Sequence, residues 1–464
     1  MKKLLFLFLS IAGICFTTQA QKETDHWFFG VIAGLDFTSG SPVPQTGAVY
    51  SIPEGCASIS TPSGTLLFYT DGSQVWDANH NLMPNGTGLH GGISSTQSCI
   101  IVPTPASATQ FYIFTTAEYG DTAGFKYSMV DMSLNGGTGD VSIKNVPIED
   151  SCTEKLAAIR TNVGGAYWIV IHKWGNDAFY AYQLTALGLQ PPVVSHAGIA
   201  HTTAQIQNTY GQIKFNMCGT KLANAAGYLD TVEIFDFNMN SGVISNPITL
   251  PMSNHIYGTE FSPNSNLLYI SCYDAGGTLL QYDISSDSLP IIQASKTVLS
   301  VTPDTYGLQV ASDGKIYVSK SYNQYLGVIN FPNTTGSGCN YIDNAVNLDT
   351  AFNGYTSGLS LPSFMQTYFK NALIISCPDG AGIEDNMIES IGIYPNPSVN
   401  EFIVNIPEIN EPIKMTVIDY TGKVIEIKNI TETNLLFGSI YIPGIYFVIV
   451  NTVSSSRVFK VIKL

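Results

Sequence analysis

The chain has 464 residues, of which 45% are hydrophobic and only 12% are charged, and its formal net charge at pH 7 is −15. An acidic chain repels phosphate backbones, and no stretch interleaves basic and aromatic residues, so the sequence argues against nucleic-acid binding. The 25 Tyr, 23 Phe and 42 Gly residues indicate β-structure joined by tight turns. The length allows one large and one small domain.

Residues 1–20 have the pattern of a secretory signal peptide. Lys2 and Lys3 form a basic start, an apolar run follows, and Thr18-Gln19-Ala20 is a small-residue cleavage site. The apolar run is too short for a stable membrane anchor, and no later segment reaches about eighteen uninterrupted apolar residues. We therefore expect a mature chain that begins at Gln21 and has no membrane-spanning segment.

One pattern recurs between residues 21 and 369. A turn rich in Pro, Gly, Ser or Asn precedes an apolar strand, a polar tip and a second, aromatic strand. The first strand of each pair is predicted at Leu66–Tyr69, Phe111–Phe114, Tyr167–Ile171, a weaker run after Gly219, Leu267–Ile270 and Lys315–Val318. The six turns lie roughly 43 to 57 residues apart, which is the length of a four-stranded blade and predicts a β-propeller.

The two ends of this region supply a further blade. Trp27–Gly30 and Leu35–Phe37 near the start, with Leu359–Leu361 and Phe364–Phe369 near the end, are predicted to share it. Six repeats and one shared blade give a seven-bladed propeller, with six or eight blades as alternatives. A long β-sandwich or a β-helix is the competing fold, but β-helix coils are much shorter than this spacing.

Residues 391–464 predict a small antiparallel β-sandwich. Phe402 and Val404 alternate with polar residues, as expected for a strand with one buried face. Tyr420–Lys423 has the composition of a hairpin turn. Residues 370–390, with proline, glycine and acidic residues, are predicted to be a linker.

Four pieces of this last region follow one another in a characteristic order: Tyr394–Pro397, Ile418–Val424, Gly444–Val448 and Lys460–Leu464. They closely resemble the C-terminal sorting domain of the type IX secretion system of Bacteroidetes. The resemblance implies export across the outer membrane by the secretion machinery. It also implies removal of the domain by a sortase-like surface peptidase, then release or attachment to the cell surface. The implied sorting signal comprises Tyr394, Pro395, Asn396, Pro397, Asp419, Gly422, Lys423, Gly444, Tyr446, Lys460 and Lys463.

A second set of pieces spans the repeat region: Trp27–Gly30, Ala33–Phe37, Glu54–Ser60, Leu67–Gly72, Val75-Trp76, Met83–Gly86, Ser94–Ser98, Thr153–Leu156 and Tyr257–Pro263. This set resembles a family of secreted Bacteroidetes propeller proteins. The resemblance implies a β-propeller fold and an extracellular setting, but it implies no activity.

The cysteines that follow the leader are widely spaced: Cys56, Cys99, Cys152, Cys218, Cys272, Cys339 and Cys377. No CxxC metal motif occurs. An extracellular setting permits disulfides, but an odd number leaves at least one thiol unpaired. Several of the seven lie in predicted strands, which favours mostly buried thiols.

The sequence contains no recognisable catalytic, metal or cofactor constellation. HExxH, G-x-S-x-G and glycine-rich phosphate motifs are all missing, so we predict no catalytic residues, no metal and no cofactor. Arg160 and Arg457 are the only arginines. Two arginines cannot form the cluster with which a sialidase binds its substrate carboxylate.

Aromatic side chains are the predicted ligand-binding residues. Trp76, His172 and Trp174 are candidates for a sugar platform at the propeller rim. Carboxylates near predicted strand ends could serve a glycosidase, although turn capping or exposure to solvent explains each of them better: Asp71, Glu154, Asp236, Glu260 and Asp283.

These patterns predict an all-β protein with a β-propeller followed by a small C-terminal β-sandwich, secreted or attached to the outer cell surface. The predicted function is a non-enzymatic binding or adhesion module for polysaccharide or protein. The alternative is a carbohydrate-active enzyme, a glycoside hydrolase or lyase, with carboxylates in the propeller funnel. A passive surface-layer or motility-associated component is a third possibility. The missing catalytic constellation favours binding.

Overall fold

The structure is a computed structural model that describes residues 21–464 apart from residues 46–50, 106, 162–164, 274–276, 303, 352, 374, 376, 378–391, 406–412, 420–422 and 452–455. The predicted signal peptide, most of the predicted linker and Gly422 of the predicted sorting signal lie outside the described residues. The chain divides into two compact units, residues 1–376 and 377–464. The predicted domain limits at residues 369 and 391 stay predictions.

Seven antiparallel sheets follow one another along the described part of the first unit, six with four strands and one with five. In the last six sheets the chain begins at one edge and adds strands outward. The first strands of neighbouring sheets contact one another, so they surround a common axis. This is a seven-bladed β-propeller, as the sequence predicted.

The strands of the first four blades range from two residues to ten residues in length. Blade 1 contains β1 (His26–Val31), β2 (Ala33–Asp36), β3 (Val43–Pro44) and β4 (Ser51–Ile52), and blade 2 contains β5 (Ala57–Ser60), β6 (Leu66–Thr70), β7 (Gln74–Asp77) and β8 (Leu82–Thr87). Blade 3 contains β9 (Cys99–Pro103), β10 (Gln110–Thr116), β11 (Phe125–Asp131) and β12 (Asp140–Glu149). Blade 4 contains β13 (Leu156–Arg160), β14 (Tyr167–His172), β15 (Ala178–Thr185), β16 (Gly188–Leu189) and β17 (Val193–His196).

The last three blades repeat the arrangement. Blade 5 contains β18 (Ile213–Phe215), β19 (Lys221–Ala226), β20 (Thr231–Phe237) and β21 (Ile244–Pro251), and blade 6 contains β22 (Ile256–Phe261), β23 (Leu267–Cys272), β24 (Leu279–Asp283) and β25 (Thr297–Ser300). Blade 7 contains β26 (Thr305–Val310), β27 (Ile316–Lys320), β28 (Tyr325–Ile329) and β29 (Tyr341–Asn347). The described part of the unit also contains four 3-10 helices and two short α-helices, α1 (Leu289–Ala294) and α2 (Thr367–Ala372). Among the described residues, no helix has the length and apolar character needed to cross a membrane.

Antiparallel strands give the propeller two distinct faces. In blades 2 to 7, the residues before each first strand and the turn between the second and third strands lie on one face, here called the upper face. The other turns lie on the opposite, lower face. The axis therefore connects an upper end, where the first strands begin, with a lower end, where they finish.

The ring closes where the two ends of the propeller chain meet. Thr356 exchanges two backbone hydrogen bonds with Val31 of β1, with N···O distances of 2.8 and 3.3 Å. The two ends of the propeller chain meet in blade 1 as predicted, but only through this bridge, and Leu359–Leu361 forms no strand there. Phe364–Phe369 does not form a strand of that blade, because the aromatic residue Phe364 turns inward and packs on Trp27, with ring centroids 5.8 Å apart.

Residues 357–369, here called the axial segment, fill the axis of the propeller. They form hydrogen bonds with four blades: Leu359 with Gly307 of blade 7, Ser360 with Thr96 before blade 3, Ser363 with Cys56 before blade 2, and Gln366 with Glu260 of blade 6. Most of the segment is buried. The cavity that remains between it and blades 3 to 5 measures only about 10 Å³.

A buried ion pair lies beside the axial segment. Lys214 Nζ is 3.3 Å from Glu260 Oε2, and the two side chains are 5% and 1% exposed. Glu260 also accepts hydrogen bonds from the Val310 amide and the Gln366 side chain. Burial lowers the pKa of Lys214 and raises the pKa of Glu260, while the opposite charge of each partner opposes the shift of the other.

The cysteines largely follow the sequence prediction. Five are buried free thiols: Cys56, Cys99, Cys152, Cys272 and Cys339. Cys218 and Cys377 are disulfide-bonded.

The second unit contains two sheets with a common core. One sheet has the order β30 (Gly392–Tyr394), β31 (Phe402–Asn405) and β34 (Asn434–Phe437); the other has the order β33 (Val424–Ile430), β32 (Ile413–Asp419), β35 (Gly444–Asn451) and β36 (Ser456–Lys463). Phe402 of the first sheet and Met415 of the second belong to one buried cluster. This is the predicted sandwich. The turn predicted at Tyr420–Lys423 falls between β32 and β33, and all of it except Lys423 lies outside the described residues.

Replacing Lys214, the buried cation beside the axial segment, tests how strongly the stability of the fold depends on its axis. Lys214→Met leaves Glu260 without its charge partner, and we expect a loss of about 3 kcal/mol in the free energy of unfolding. Lys221→Met is the matched control, because Lys221 lies nearer the surface and its ion pairs contribute little. Chemical denaturation measures both. Equal destabilisation by the two substitutions would contradict the prediction.

Candidate functional site

Residues that precede the first strands converge at the upper end of the axis. Glu54 precedes β5, Ser94 precedes β9 and Glu154 precedes β13. Because the first strands surround the axis, their starting points meet there although they are far apart in sequence. All three residues belong to the pieces that carry the resemblance to secreted propeller proteins.

Glu54 and Tyr257 form the centre of this site. The Tyr257 hydroxyl donates to Glu54 Oε1 at 2.5 Å, and the Ser94 hydroxyl donates to Glu54 Oε2 at 2.9 Å. Tyr257 Oη also lies 3.0 Å from the Ser360 hydroxyl of the axial segment. Glu54 is 6% exposed and Tyr257 is 3% exposed. The carboxyl group is therefore held by two hydroxyls and almost sealed from solvent.

Glu154 is a second buried carboxylate in the same network. Its Oε2 accepts hydrogen bonds from the amide and hydroxyl of Thr96, at 3.0 and 3.1 Å. Its Oε1 accepts from the Tyr119 amide at 2.9 Å and the Thr209 hydroxyl at 3.1 Å. Burial raises the pKa of Glu154, and these four hydrogen bonds oppose that shift.

The electrostatics of the site favour a protonated Glu54. Burial raises its pKa to about 8, with the negative charge of Glu154 as the next contribution. A third carboxylate, Glu118, accepts a hydrogen bond from the Ser94 amide at 3.1 Å. Its negative charge also raises the pKa of Glu54. At neutral pH most molecules therefore carry a proton on Glu54.

Tyrosines surround this network on the upper face. We call the following set the tyrosine rim: Tyr119, Tyr210, Tyr228, Tyr273, Tyr306, Tyr322 and Tyr355. All are partly or fully exposed, and Tyr119 and Tyr322 are the most open at 39% and 55%. Tyr273 stacks on Tyr306 with ring centroids 5.6 Å apart, and Tyr228 stacks on His255 at 3.9 Å. The rim presents aromatic faces and hydroxyls beside one another.

The rim and the buried network differ in what they can do. A catalytic acid or base must come within hydrogen-bond reach of its substrate. Glu54 and Glu154 are sealed beneath the upper surface, and the axial segment blocks approach along the axis. The rim, in contrast, offers ring faces that can stack on a ligand and hydroxyls that can bind its polar groups.

The structure places two of the predicted ligand-binding residues in the core. Trp76 is 2% exposed and stacks on Tyr69 with centroids 5.3 Å apart. His172 is 0% exposed and meets Phe179 edge-on at 4.5 Å, and burial lowers the pKa of its imidazole to about 3. The prediction of a surface platform at these two residues is corrected, because both pack inside the propeller.

Trp174 alone of the three lies at the surface. It is half-buried in an upper-face turn of blade 4, against Gly120. Gly120 has φ of +67°, and a Cβ there would lie 2.5 Å from the Trp174 ring, so the close approach requires glycine. Gly120 follows Tyr119, which places Trp174 next to the tyrosine rim.

The carboxylates considered in the sequence fall into two groups. Asp71 and Asp283 cap turns, as expected, by accepting backbone amides two residues later at 2.7 and 3.0 Å. Asp236 pairs with Lys221 at 2.7 Å. The interpretation as turn-capping or solvated carboxylates is wrong for Glu154 and Glu260, which are buried at the axis. In the described part of the chain, no group of three or more His, Cys, Asp or Glu residues is arranged to hold a metal ion.

The predicted sorting signal brings distant pieces of the second unit together. The Asn396 side chain donates to the Lys460 carbonyl at 2.8 Å and accepts from the Ile462 amide at 2.9 Å. Ser398 continues the contact through backbone hydrogen bonds with Ile462 and Leu464, both at 2.9 Å. The side-chain amide thus pairs with β36 as a neighbouring strand would.

The other signal residues have structural or surface positions. The Lys463 ammonium is buried and donates to the carbonyls of Asn400 and Gly438. Asp419 Oδ1 accepts the Lys423 amide at 3.1 Å, and Tyr446 donates to the Ile442 carbonyl at 2.9 Å. Gly444 begins β35, while the remaining signal residues are exposed: Tyr394, Pro395, Pro397 and Lys460.

Fold and surface together define a β-propeller protein that carries a separate C-terminal sandwich. Residues 392–464 match the family described as the secretion system C-terminal sorting domain. This match establishes that the chain is exported by the type IX secretion system to the cell surface or the extracellular space. No curated protein matches the chain.

Several solved structures are similar at low identity. A provisionally named 6-phosphogluconolactonase from Bacteroides uniformis is 10% identical, with a TM-score of 0.33, and the match covers 79% of this chain and 97% of that one. Kuenenia stuttgartiensis hydrazine synthase is 9% identical, with a TM-score of 0.36, and the match covers 68% and 79% of the two chains. A protein of unknown function from Bacteroides caccae is 13% identical, with a TM-score of 0.33 and coverages of 64% and 95%. Likenesses of this size carry no argument about activity.

Glu54 should make stability depend on pH. Its folded-state pKa of about 8 exceeds its ordinary value. The contribution of Glu54 to the free energy of unfolding is therefore complete at acidic pH and is lost as pH rises through 8. Between pH 5 and 8.5 the parent should lose roughly 4 kcal/mol that Glu54→Gln retains, because an amide does not ionise. The amide oxygen accepts from one of the two hydroxyls, and the amide NH2 group donates to the other. Thermal unfolding across this range measures the slope.

The matched control for that experiment is Asp287→Asn, which changes a carboxylate that is 77% exposed. Its slope should equal that of the parent. If Glu54→Gln also showed the parent slope, Glu54 would not be the group that titrates.

Asn396 should hold the last strand in place. Asn396→Ala removes both side-chain hydrogen bonds to β36, and we expect a loss of about 1–2 kcal/mol in the local opening free energy. Hydrogen exchange at the Ile462 amide measures this directly. Asn429→Ala, at an exposed position of β33, is the matched control and should leave the exchange unchanged. Unaltered protection of Ile462 in Asn396→Ala would refute the role.

Proposed function

We propose that the propeller is a non-enzymatic module that binds polysaccharide through the tyrosine rim. The proposal rests on one observation: the upper face carries partly exposed tyrosines, and the axis beneath them is closed. Sugar rings combine apolar C–H faces with hydroxyls, and tyrosine rings combine an aromatic face with a hydroxyl. A rim of such side chains suits a repeating, uncharged polymer that crosses the upper face.

The enzyme alternative rests on one specific observation. Glu54 and Glu154 belong to one network, and a carboxyl group with a pKa of about 8 has the protonation state of a general acid. Their burial speaks against it, because a substrate would first have to displace Tyr257 or the axial segment. A protein ligand for the rim is the other alternative.

We also propose how the protein reaches its place of action. The leader over residues 1–20 would be removed first, and the sorting domain from about residue 391 would be removed at the cell surface by a sortase-like peptidase. Residues 370–390 would then serve as the linker in which that cleavage occurs. The exposed signal residues Tyr394 and Lys460 are suited to recognition by the secretion machinery.

Retention and cleavage should be measured in the same tubes. The chain from Gln21 to Leu464 is incubated with soluble and insoluble polysaccharides, and bound protein and released reducing ends are both quantified. We expect retention without reducing ends. Reducing ends that disappear in Glu54→Gln would establish the enzyme alternative instead. Lack of retention on every polysaccharide would reject polysaccharide binding.

Rim substitutions test where the polymer binds. Tyr119→Ala and Tyr322→Ala should each weaken retention about tenfold, since each removes one stacking platform. Both side chains are open to solvent, so the fold should persist, and circular dichroism checks this. Phe331→Ala is the matched control, because Phe331 is 59% exposed on the lower face. Equal effects of all three would place binding elsewhere.

A further inference from the structure

Three inner strands bring a lysine, a glutamate and a glutamine together beside the axial segment. Lys214 lies in β18 of blade 5, Glu260 in β22 of blade 6 and Gln309 in β26 of blade 7. None of the three is more than 4% exposed. We call them the axial triad. The ion pair described above is one side of this triad, and the proposed function uses none of its members.

The side-chain nitrogen of Lys214 lies close to the amide carbon of Gln309. Nζ donates a hydrogen bond to Oε1 of Gln309 at 2.5 Å. A C=O bond is about 1.23 Å long, so the amide carbon Cδ lies no more than about 3.7 Å from Nζ. Reacting atoms held about 3–3.5 Å apart are in position for attack, and fixed proximity of this kind replaces a concentration of about 10⁵–10⁸ M. The fold therefore holds an amine against an amide that it would not attack in free solution.

Glu260 is placed to move the protons of such an attack. Its Oε2 lies 3.3 Å from Lys214 Nζ. Its Oε1 is held by hydrogen bonds from the Phe261 amide at 3.1 Å and the Gln366 side chain at 2.9 Å. Burial lowers the pKa of Lys214 and raises the pKa of Glu260, so both shifts favour the uncharged forms. A proton passed from Nζ to Oε2 leaves the neutral amine, which is the nucleophilic form of lysine.

A second lysine has similar contacts in a more open setting. Lys320 Nζ is 2.8 Å from the Asn344 amide oxygen and 2.7 Å from Asp343 Oδ2. The Asp343 side chain is 28% exposed. Burial opposes its charge, but its hydrogen bonds, first that from Lys320, outweigh burial and hold the pKa of Asp343 below its ordinary value. This carboxylate is therefore a poor acceptor for the lysine proton, and the site is a natural control for the axial triad.

We propose that Lys214 and Gln309 become joined by an isopeptide bond inside the folded propeller, with Glu260 as the group that transfers the protons. The ion pair is the state from which the reaction starts. After Glu260 has taken one proton, the neutral Nζ attacks Cδ, the Nζ–Cδ bond forms and the Cδ–Nε2 bond breaks. Glu260 gives its proton to Nε2, which leaves as ammonia, and takes a second proton from Nζ. The reaction needs no oxidant, reductant or second substrate.

The axial segment makes the reaction depend on a finished ring. Gln366 belongs to that segment and holds the carboxyl group of Glu260, so the triad is complete only when the end of the domain has entered the axis. The new bond ties blade 5 to blade 7 across blade 6. Unlike a disulfide, an amide is not cleaved by reducing agents. The linkage would therefore fix the closed propeller permanently, and it is independent of the tyrosine rim.

Peptide mapping of the chain from Gln21 to Leu464 tests the linkage. The folded protein is incubated at neutral pH, denatured, digested with trypsin and analysed by tandem mass spectrometry. We expect Trp174–Lys221, uncut after Lys214, joined to Thr297–Lys315. The joined species should be lighter than the two peptides together by one ammonia molecule, about 17 Da. An N-terminal glutamine can also lose ammonia, so the joined peptides and not the intact mass are decisive. Separate peptides with complete cleavage after Lys214 would overturn the proposal.

The same digest contains the matched control. Cleavage after Lys320 should be complete, and the peptide that contains Asn344 should be unlinked. Equal linkage at both lysines would show that contact alone is sufficient and would reject the role of Glu260.

Substitutions of Glu260 test its part in the reaction. Glu260→Gln removes the proton acceptor at nearly constant size, and the linked fraction after the same incubation should fall at least about tenfold. Glu260→Asp keeps a carboxyl group but withdraws it by one methylene, and we expect an intermediate linked fraction. Circular dichroism checks that each variant is folded, while the digest of the parent decides the linkage without any variant. Linkage in folded Glu260→Gln equal to that of the parent would contradict proton transfer by Glu260.

Discussion

The filling of the propeller axis by its own chain is the constraint on which the rest of the structure depends. Polar groups on the inner strands are removed from water, and each needs a hydrogen-bond partner. The axial segment supplies several of them: Ser360 reaches Tyr257, and Gln366 reaches Glu260. The buried network at the upper end therefore exists because a segment from the far end of the domain completes it.

A filled axis also limits which surfaces of the propeller are open to a ligand. With the axis closed, the upper face offers loops and turns in place of a funnel, and side chains on loops can differ without disturbing the blades. The rim tyrosines other than Tyr306, which lies in β26, occupy such positions, whereas the carboxylates beneath them are fixed by backbone and hydroxyl donors. Fixed carboxylates below and variable tyrosine side chains above suit the proposed binding surface better than a catalytic site.

Local sequence patterns predicted the blades, but contacts between residues far apart in the sequence were not predicted. The second and third strands of each blade were found because alternation and turn residues are properties of neighbouring residues. The axis could not be found this way, since Glu54 and Tyr257 meet only after most of the ring is built. Trp76 was misplaced because a single sequence does not distinguish an aromatic residue of the core from one of the rim. The sorting domain was predicted well because its signal is carried by short, ordered pieces.

The bridge between Val31 and Thr356 has a consequence for the order of events in folding. Blade 1 is made first, yet its inner position stays incomplete until nearly the whole domain has followed. This contact joins the two ends of the propeller chain, and contacts of such sequence separation form late. During synthesis and export the early blades must therefore persist as an open arc with unprotected edges, and only the final residues of the domain convert the arc into a ring.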